Sequence, residues 1–199
     1  IRFRRSATWH PEKFQNSNMV QEISEDLPNG EVENTEETPI IDLASDTFFM
    51  GQAMRQAQKA YLAEEVPVGA VIVRDGSILA RSHNQVETLR DATAHAEMLA
   101  LTQAEEALDD WRLTDCDLYV TKEPCPMCAG AIVHCRIRRV IFGCADEKGG
   151  AAGGFINLLQ QPTLNHFSEV TQGVLEEDSK MLLKTFFLEA REKKKRGGE

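Results

Sequence analysis

Between Val66 and Val174 short apolar runs alternate with helix-period segments, and this alternation constrains the fold more than any other feature of the chain. VPVGAVIV (66–73), the turn Arg74 to Ser77 and Ile78 to Ala80 read as a β-hairpin, because Asp75-Gly76 supplies the positive φ angles a tight turn needs. Thr93 stands where it caps a helix through His95, Met98, Leu99 and Leu101 to about Ala107. Leu118 to Val120 is a short buried strand. A helix follows over Cys125 to His134, entered at Pro124, since proline suits a first helical turn. Arg139 to Gly143 is a strand, Gly149 to Gly154 a glycine-rich loop, and Glu169 to Val174 a fifth strand. Ahead of these, Ser45-Asp46 caps a helix with Phe48, Phe49, Met54, Ala57 and Tyr61 on one side. Behind them, a last helix from near Asp178 carries Leu182, Leu183, Phe186 and Phe187. Strand, helix, strand, helix, strand is the pattern of a layered α/β domain.

Composition fits one such domain with an extension. With 199 residues, 42% of them hydrophobic, the chain can bury a real core. No run approaches the roughly 18 apolar residues that cross a bilayer, so no membrane partner is expected. The sequence opens at Ile1 rather than Met and shows no leader pattern, so a longer parent chain is expected. Five cysteines, an odd number in a chain this large, argue against a secreted disulfide scaffold and for a reducing compartment. The net charge of -10 argues against nucleic acid until its distribution is considered. Residues 1–45 hold four Lys/Arg against nine Asp/Glu, and Gln15 to Thr38 has the composition of a solvated linker. Positive charge gathers at Arg136, Arg138 and Arg139 and again at Lys193 to Arg196. The expected organisation is an acidic extension over 1–45, a folded domain over 46–192 and a basic tail over 193–199.

Two stretches carry chemistry. In EPCPMCAG (123–130), Cys125 and Cys128 stand at i and i+3, so in a first helical turn both sulfurs face one point. The positive end of the helix dipole favours thiolate there, which serves a redox pair as well as a metal. TAHAE (93–97) starts a second helix with an imidazole and a carboxylate. His95, Cys125 and Cys128 are three ligands of the types zinc takes, leaving a fourth tetrahedral position for water. Glu97, about 200° from His95 on a regular helix, is poorly placed as a fourth ligand but can reach that water and exchange its proton. Two other readings stay open on spacing alone. A closed structural zinc site of Cys125, Cys128, Cys135 and His134 or His95 has no use for Glu97, and a redox pair leaves both His95 and Glu97 unexplained. Cys116, Cys135 and Cys144 lie in or beside apolar runs and read as buried small hydrophobes.

A His-x-Glu with Pro-Cys-x-x-Cys is the established signature of zinc nucleobase deaminases. From about Asp46 to Arg191 the chain resembles, more narrowly, the bacterial-type tRNA-specific adenosine deaminases. The resemblance rests on EVPVGAVIV (65–73), the asparagine of SHN (82–84), TAHAE (93–97) and LYVTKEPCPMCAGAIVHCRI (118–137). It continues through VIFGCADEKGGAAGG (140–154), NH (165–166) and the paired phenylalanines at 186–187. It implies a three-layer α/β/α, cytidine deaminase-like fold around a central five-stranded mixed sheet, and a homodimer with one Zn2+ per subunit. It assigns His95, Cys125 and Cys128 to the metal and Glu97 to proton transfer. Asn84 would meet the base edge, Val68 and Ala96 would line the base pocket, Asp146 would lie near a flanking nucleotide and Phe187 at the RNA face. Pro124 is expected to border the same pocket.

The implied reaction is attack of a zinc-bound hydroxide on C6 of the wobble adenosine, position 34, in a tRNA anticodon stem-loop, giving inosine; the implied tRNA is one for arginine. A free nucleoside or nucleobase deaminase and a non-catalytic zinc-stabilised binding module are the alternatives. The extension over 1–45 has no counterpart in the compact bacterial enzymes of the family and looks more like a plastid version, in the stroma, with a bacterial cytoplasmic enzyme as the alternative.

Overall fold

The structure, a computed structural model, describes residues 42–196, so the expected extension up to residue 41 and the last three residues lie outside the described residues. Helix α1 (Asp46–Leu62) leads into strands β1 (Gly69–Arg74) and β2 (Ser77–His83), a short helix α2 (Val86–Leu89) and helix α3 (Ala96–Leu108). Strand β3 (Cys116–Lys122), helix α4 (Pro126–Cys135), strands β4 (Arg139–Cys144) and β5 (Glu169–Gln172) and helix α5 (Glu176–Arg196) complete the domain. The sheet order is β2-β1-β3-β4-β5. β1 runs antiparallel to β2 and β3, while β3, β4 and β5 are mutually parallel, so the sheet is mixed and five-stranded as expected.

Alternation along the central strands makes two cores. Ala70, Ile72, Leu118, Val120, Val140 and Phe142 face α3 and α4, where Ala100, Leu101, Ala129 and Ile132 meet them. Val71, Val73, Tyr119 and Ile141 point the other way, onto Phe49, Met50 and Ala53 of α1. A period of two on strands buried on both faces requires helices on both sides, which gives the three layers. The β1–β2 turn has positive φ at both Asp75 (49°) and Gly76 (73°), the twist that matches the flanking strands.

Several local expectations are corrected. The cap of α3 is His95, not Thr93, because Thr93 spends its N–H and hydroxyl on Asp91 Oδ1, each at 2.8 Å. The proline that opens α4 is Pro126 at its first position, with Cys125 as cap. Pro124 lies one residue earlier, where its carbonyl accepts from Ala151 N–H at 2.8 Å. Helix α5 begins at Glu176, before the expected Asp178, and holds through Arg196, so Lys193 to Arg196 form its last turn rather than a tail. Two of the three clustered arginines are already held in ion pairs. Arg138 grips Asp117 through two bonds at 2.9 and 3.0 Å, and Arg139 bridges Asp117 and Asp46. With Tyr119 Oη donating to Asp46 Oδ1 at 2.7 Å, this network ties the first turn of α1 to β3 and β4.

Candidate active site

Because β1 is antiparallel to β3, the start of β1 and the ends of β2, β3 and β4 share one edge of the sheet. Both chemistry-bearing helices begin there. His95 caps α3 with φ -71° and ψ 154°, and Cys125 caps α4 with φ -74° and ψ 170°. These extended caps aim side chains back across the helix mouths instead of along a helical face. His95 Nδ1 therefore lies 3.6 Å from Cys125 Sγ and 3.5 Å from Cys128 Sγ. Among the described residues these three form the group of donor atoms close enough to share a metal ion, all within 4.8 Å of one another.

The donor set fits zinc. A tetrahedral centre with zinc–sulfur bonds of about 2.3 Å and zinc–nitrogen bonds of about 2.0 Å separates nitrogen from sulfur by about 3.5 Å. The surroundings of the two sulfurs favour a thiolate at Cys125 with the proton kept on Cys128. The Cys125 thiol is held far below its usual range, first by the hydrogen bond from Cys128, then by those from His95 and the Cys128 backbone N–H. The bond to Cys125, with burial behind it, pushes Cys128 up. His95 is raised, chiefly by its bond to Cys125. A divalent cation displaces such shared protons, which couples its binding to pH.

Glu97, the second residue of α3, is buried beside these ligands. Burial is the main cause that pushes its carboxyl above the usual range, with His95 and its own backbone N–H pulling the other way. A carboxyl whose hold on a proton is strengthened in this way suits proton transfer. Since His95 sits outside the helix proper, the 200° separation expected for i and i+2 does not keep the two apart, and both line one cleft of about 660 Å³. That size is within the range of small-ligand sites.

A MafB19-like deaminase family model matches residues 44–191. The tRNA-specific adenosine deaminase of Bacillus subtilis (strain 168) is 50% identical over 153 residues, covering 77% of this chain and 95% of that protein. That of Agrobacterium fabrum (strain C58 / ATCC 33970) is 46% identical over 149 residues, covering 75% and 98%. The chain belongs to the tRNA-specific adenosine deaminase family. A solved structure from studies of A-to-I editing by tRNA:A34 deaminases has a TM-score of 0.67 at 47% identity, covering 69% of this chain and 99% of that one. A guanine deaminase from Nitrosomonas europaea shares the fold at 26% identity with a TM-score of 0.61, covering 72% and 85%.

In this deaminase, Val68, Asn84, Asp146 and Phe187 line the cleft together with His95, Glu97 and Cys125. Ala96 and Pro124 do not. Ala96 is fully buried in the core between the sheet and α3, its carbonyl accepting from Ser82 Oγ, and Pro124 is buried beneath the glycine-rich loop. The cleft also has two organisers that residue spacing did not single out. Glu65 is fully buried and accepts from Asn84 Nδ2 (3.1 Å), Glu87 N–H (3.2 Å) and Thr88 N–H (2.6 Å), fixing the β2–α2 wall. Burial raises its carboxyl, but those bonds together outweigh it and hold Glu65 below the usual range. On the other side Glu123 accepts from the backbone N–H groups of Asp146 (2.7 Å), Ala152 (2.9 Å) and Gly154 (2.8 Å), fixing the glycine-rich loop. A Cβ on Gly150 would stand 2.2 Å from the Glu123 carboxylate, so the loop can close over it only with glycine there. Both lie inside stretches already singled out, EVPVGAVIV and EPCPMCAG, but Glu64 beside one and Lys122 beside the other give no local sign that either carboxylate is buried.

Proposed function

We propose that this chain hydrolyses the adenosine at the wobble position of a tRNA, position 34, to inosine, with one zinc per subunit held by His95, Cys125 and Cys128. The observation that carries the proposal is the convergence of three ligand atoms and the buried Glu97 on the floor of one cleft whose walls hold Asn84 and Phe187. Zinc bound by one nitrogen and two sulfurs would acidify a coordinated water toward neutral pH. Glu97 would take one proton from the attacking water and pass it to the purine ring nitrogen, then take the proton of the new C6 hydroxyl and pass it to the departing amine, so that ammonia leaves and a carbonyl remains. Asn84, one amide N–H committed to Glu65, keeps its Oδ1 and a second N–H for the base edge. An anticodon loop supplies the base already unstacked, which lowers the cost of taking it into the cleft.

The basic last turn of α5 lies on the same helix as Phe187, which lines the cleft, and supports a phosphate-tracking role for that helix. The choice of an arginine tRNA, the homodimer and a stromal location in plastids are carried by the family resemblance and by the acidic residues ahead of the matched region, which starts at residue 44. The decisive experiment measures inosine in an anticodon stem-loop of an arginine tRNA beside free adenosine, adenine, cytidine and guanine. Inosine in the stem-loop is expected. Turnover of a free compound alone would overturn the tRNA assignment, and guanine is included because a guanine deaminase shares the fold.

A further inference from the structure

We infer that Lys122 is a phosphate-contacting residue of the cleft, its ammonium set by Asp146 to receive the backbone next to the flipped nucleotide. The inference rests on the RNA-editing reading above and goes beyond it, since that reading assigns Lys122 no part.

The charges of the cleft are not equivalent. Five carboxylates and two ammonium groups belong to its lining, which by count is hostile to a polyanion. Glu65, Glu97 and Glu123 are buried, and the oxygens of Glu65 and Glu123 are occupied by backbone and side-chain donors. The Asp146 carboxylate is committed too, since Oδ1 accepts from the N–H groups of Lys148 (3.0 Å) and Gly149 (3.1 Å) and Oδ2 from Lys122 Nζ. Those bonds hold Asp146 below the usual carboxylate range, with the Lys122 bond the main cause. The fifth carboxylate, Glu87, is exposed, where water and salt screen its charge, so what the cleft offers an anion is its two lysines.

Lys122 and Glu123 are neighbours at the end of β3, where side chains alternate. Glu123 turns under the glycine-rich loop and fixes the backbone of Asp146, and the Asp146 side chain reaches back to Lys122. The ammonium has three donors and Asp146 takes one, leaving two toward the cleft. With 29% of its side chain exposed, Lys122 is partly desolvated yet reachable. A long flexible cation held in this way gives up less side-chain freedom when a phosphate arrives. It lines the cleft together with His95, Glu97 and Cys125, three residues ahead of Cys125 in the chain, which places it at the reacting end.

The test compares wild type, Lys122→Gln and Lys122→Arg as metal-loaded protein on an anticodon stem-loop over a series of salt concentrations. For Lys122→Gln the expected result is a KM higher by about fivefold at moderate salt with kcat changed less than about twofold. The slope of log KM against log salt should fall by about 0.7, the share of one single-strand phosphate contact. Lys122→Arg should restore the slope, and bound metal should be equal in all three. An unchanged slope and KM in Lys122→Gln would overturn the inference while leaving RNA editing intact. So would equal losses in the Gln and Arg variants accompanied by loss of metal, which would make Lys122 a structural residue. If the metal-loaded wild type forms no inosine in the stem-loop, the editing assignment itself falls, and the phosphate role with it.

Discussion

The metal corner and the two walls of the cleft are built by opposite means. At the corner, residue type does the work: one imidazole and two thiols at two helix mouths, with His95 and Cys125 both serving as extended caps. At the walls, Glu65 and Glu123 are chemically ordinary carboxylates that matter only because of what they meet. Their partners lie 19 to 23 residues away for Glu65 and 23 to 31 for Glu123. Within one cleft Glu65 is driven toward the anion by donated hydrogen bonds, whereas burial drives Glu97 toward the neutral acid. A carboxylate that receives several N–H bonds is a structural anchor, and one left with few is free to move a proton.

The largest expected effect breaks the corner without touching the walls. Glu97→Gln keeps the shape of the side chain and removes its proton exchange. Turnover should fall by about 10²- to 10⁴-fold while metal content and unfolding temperature stay near wild type. Measured inosine formation close to the wild-type rate would remove Glu97 from the mechanism. Next in size is the converse, Glu123→Ala, which breaks a wall and leaves the ligands in place. Three N–H groups lose their acceptor together, that of Ala152 buried and those of Asp146 and Gly154 partly so, and a loss of stability of about 2 kcal/mol is expected in urea unfolding. Gly150→Ala should imitate part of this loss, since its Cβ has no space against the same carboxylate.

The difference between the two regions explains what the sequence made legible. Sheet membership, the hairpin at Asp75-Gly76 and the ligand trio were readable because each depends on local periodicity or on residue types that few other chemistries need. Helix starts were misplaced by one or two residues because the competing bond of Thr93 to Asp91 and the role of Cys125 as cap are three-dimensional facts. Ala96 was expected in the base pocket from resemblance, yet the first residue of α3 points into the core while its neighbours His95 and Glu97 reach the cleft. The clustered arginines misled for the same reason. A run of charge in sequence does not disclose that Asp117 and Asp46 neutralise Arg138 and Arg139.

A smaller effect sharpens the contrast between walls and corner through pH. The Glu65 carboxyl titrates lower in the fold than its usual value of 4.5, so between the two values the unfolded chain binds more protons. Its contribution to stability is then fully present above about pH 4.5 and is lost as pH falls through the lower, folded value. Glu65→Gln lacks that ionisation. Its stability at pH 7 should be reduced, and its further loss on acidification to pH 3 should be shallower than that of wild type in urea unfolding. Asp46, also held low because the bonds from Arg139 and Tyr119 outweigh its burial, should add to the acid loss in both proteins equally. Parallel curves for wild type and Glu65→Gln would mean that the Asn84 wall is held by something other than the Glu65 anion.

The smallest expected effect concerns Cys135, because the spacing of the cysteines alone left a closed four-ligand site open. Cys135 Sγ donates to Glu105 Oε1 at 3.0 Å, and burial, reinforced by that carboxylate, pushes its thiol up to about 12, the state of a hydrogen-bond donor rather than of a metal thiolate. It also stands outside the His95, Cys125 and Cys128 group. Serine preserves the donated bond and costs little volume, so Cys135→Ser should keep one metal per subunit and wild-type turnover, with a stability change within about 1 kcal/mol. Metal analysis of the purified variant checks this directly. A lost metal would make the corner a closed structural site, and with no open position left for water, the role given to Glu97 would fail at the same time.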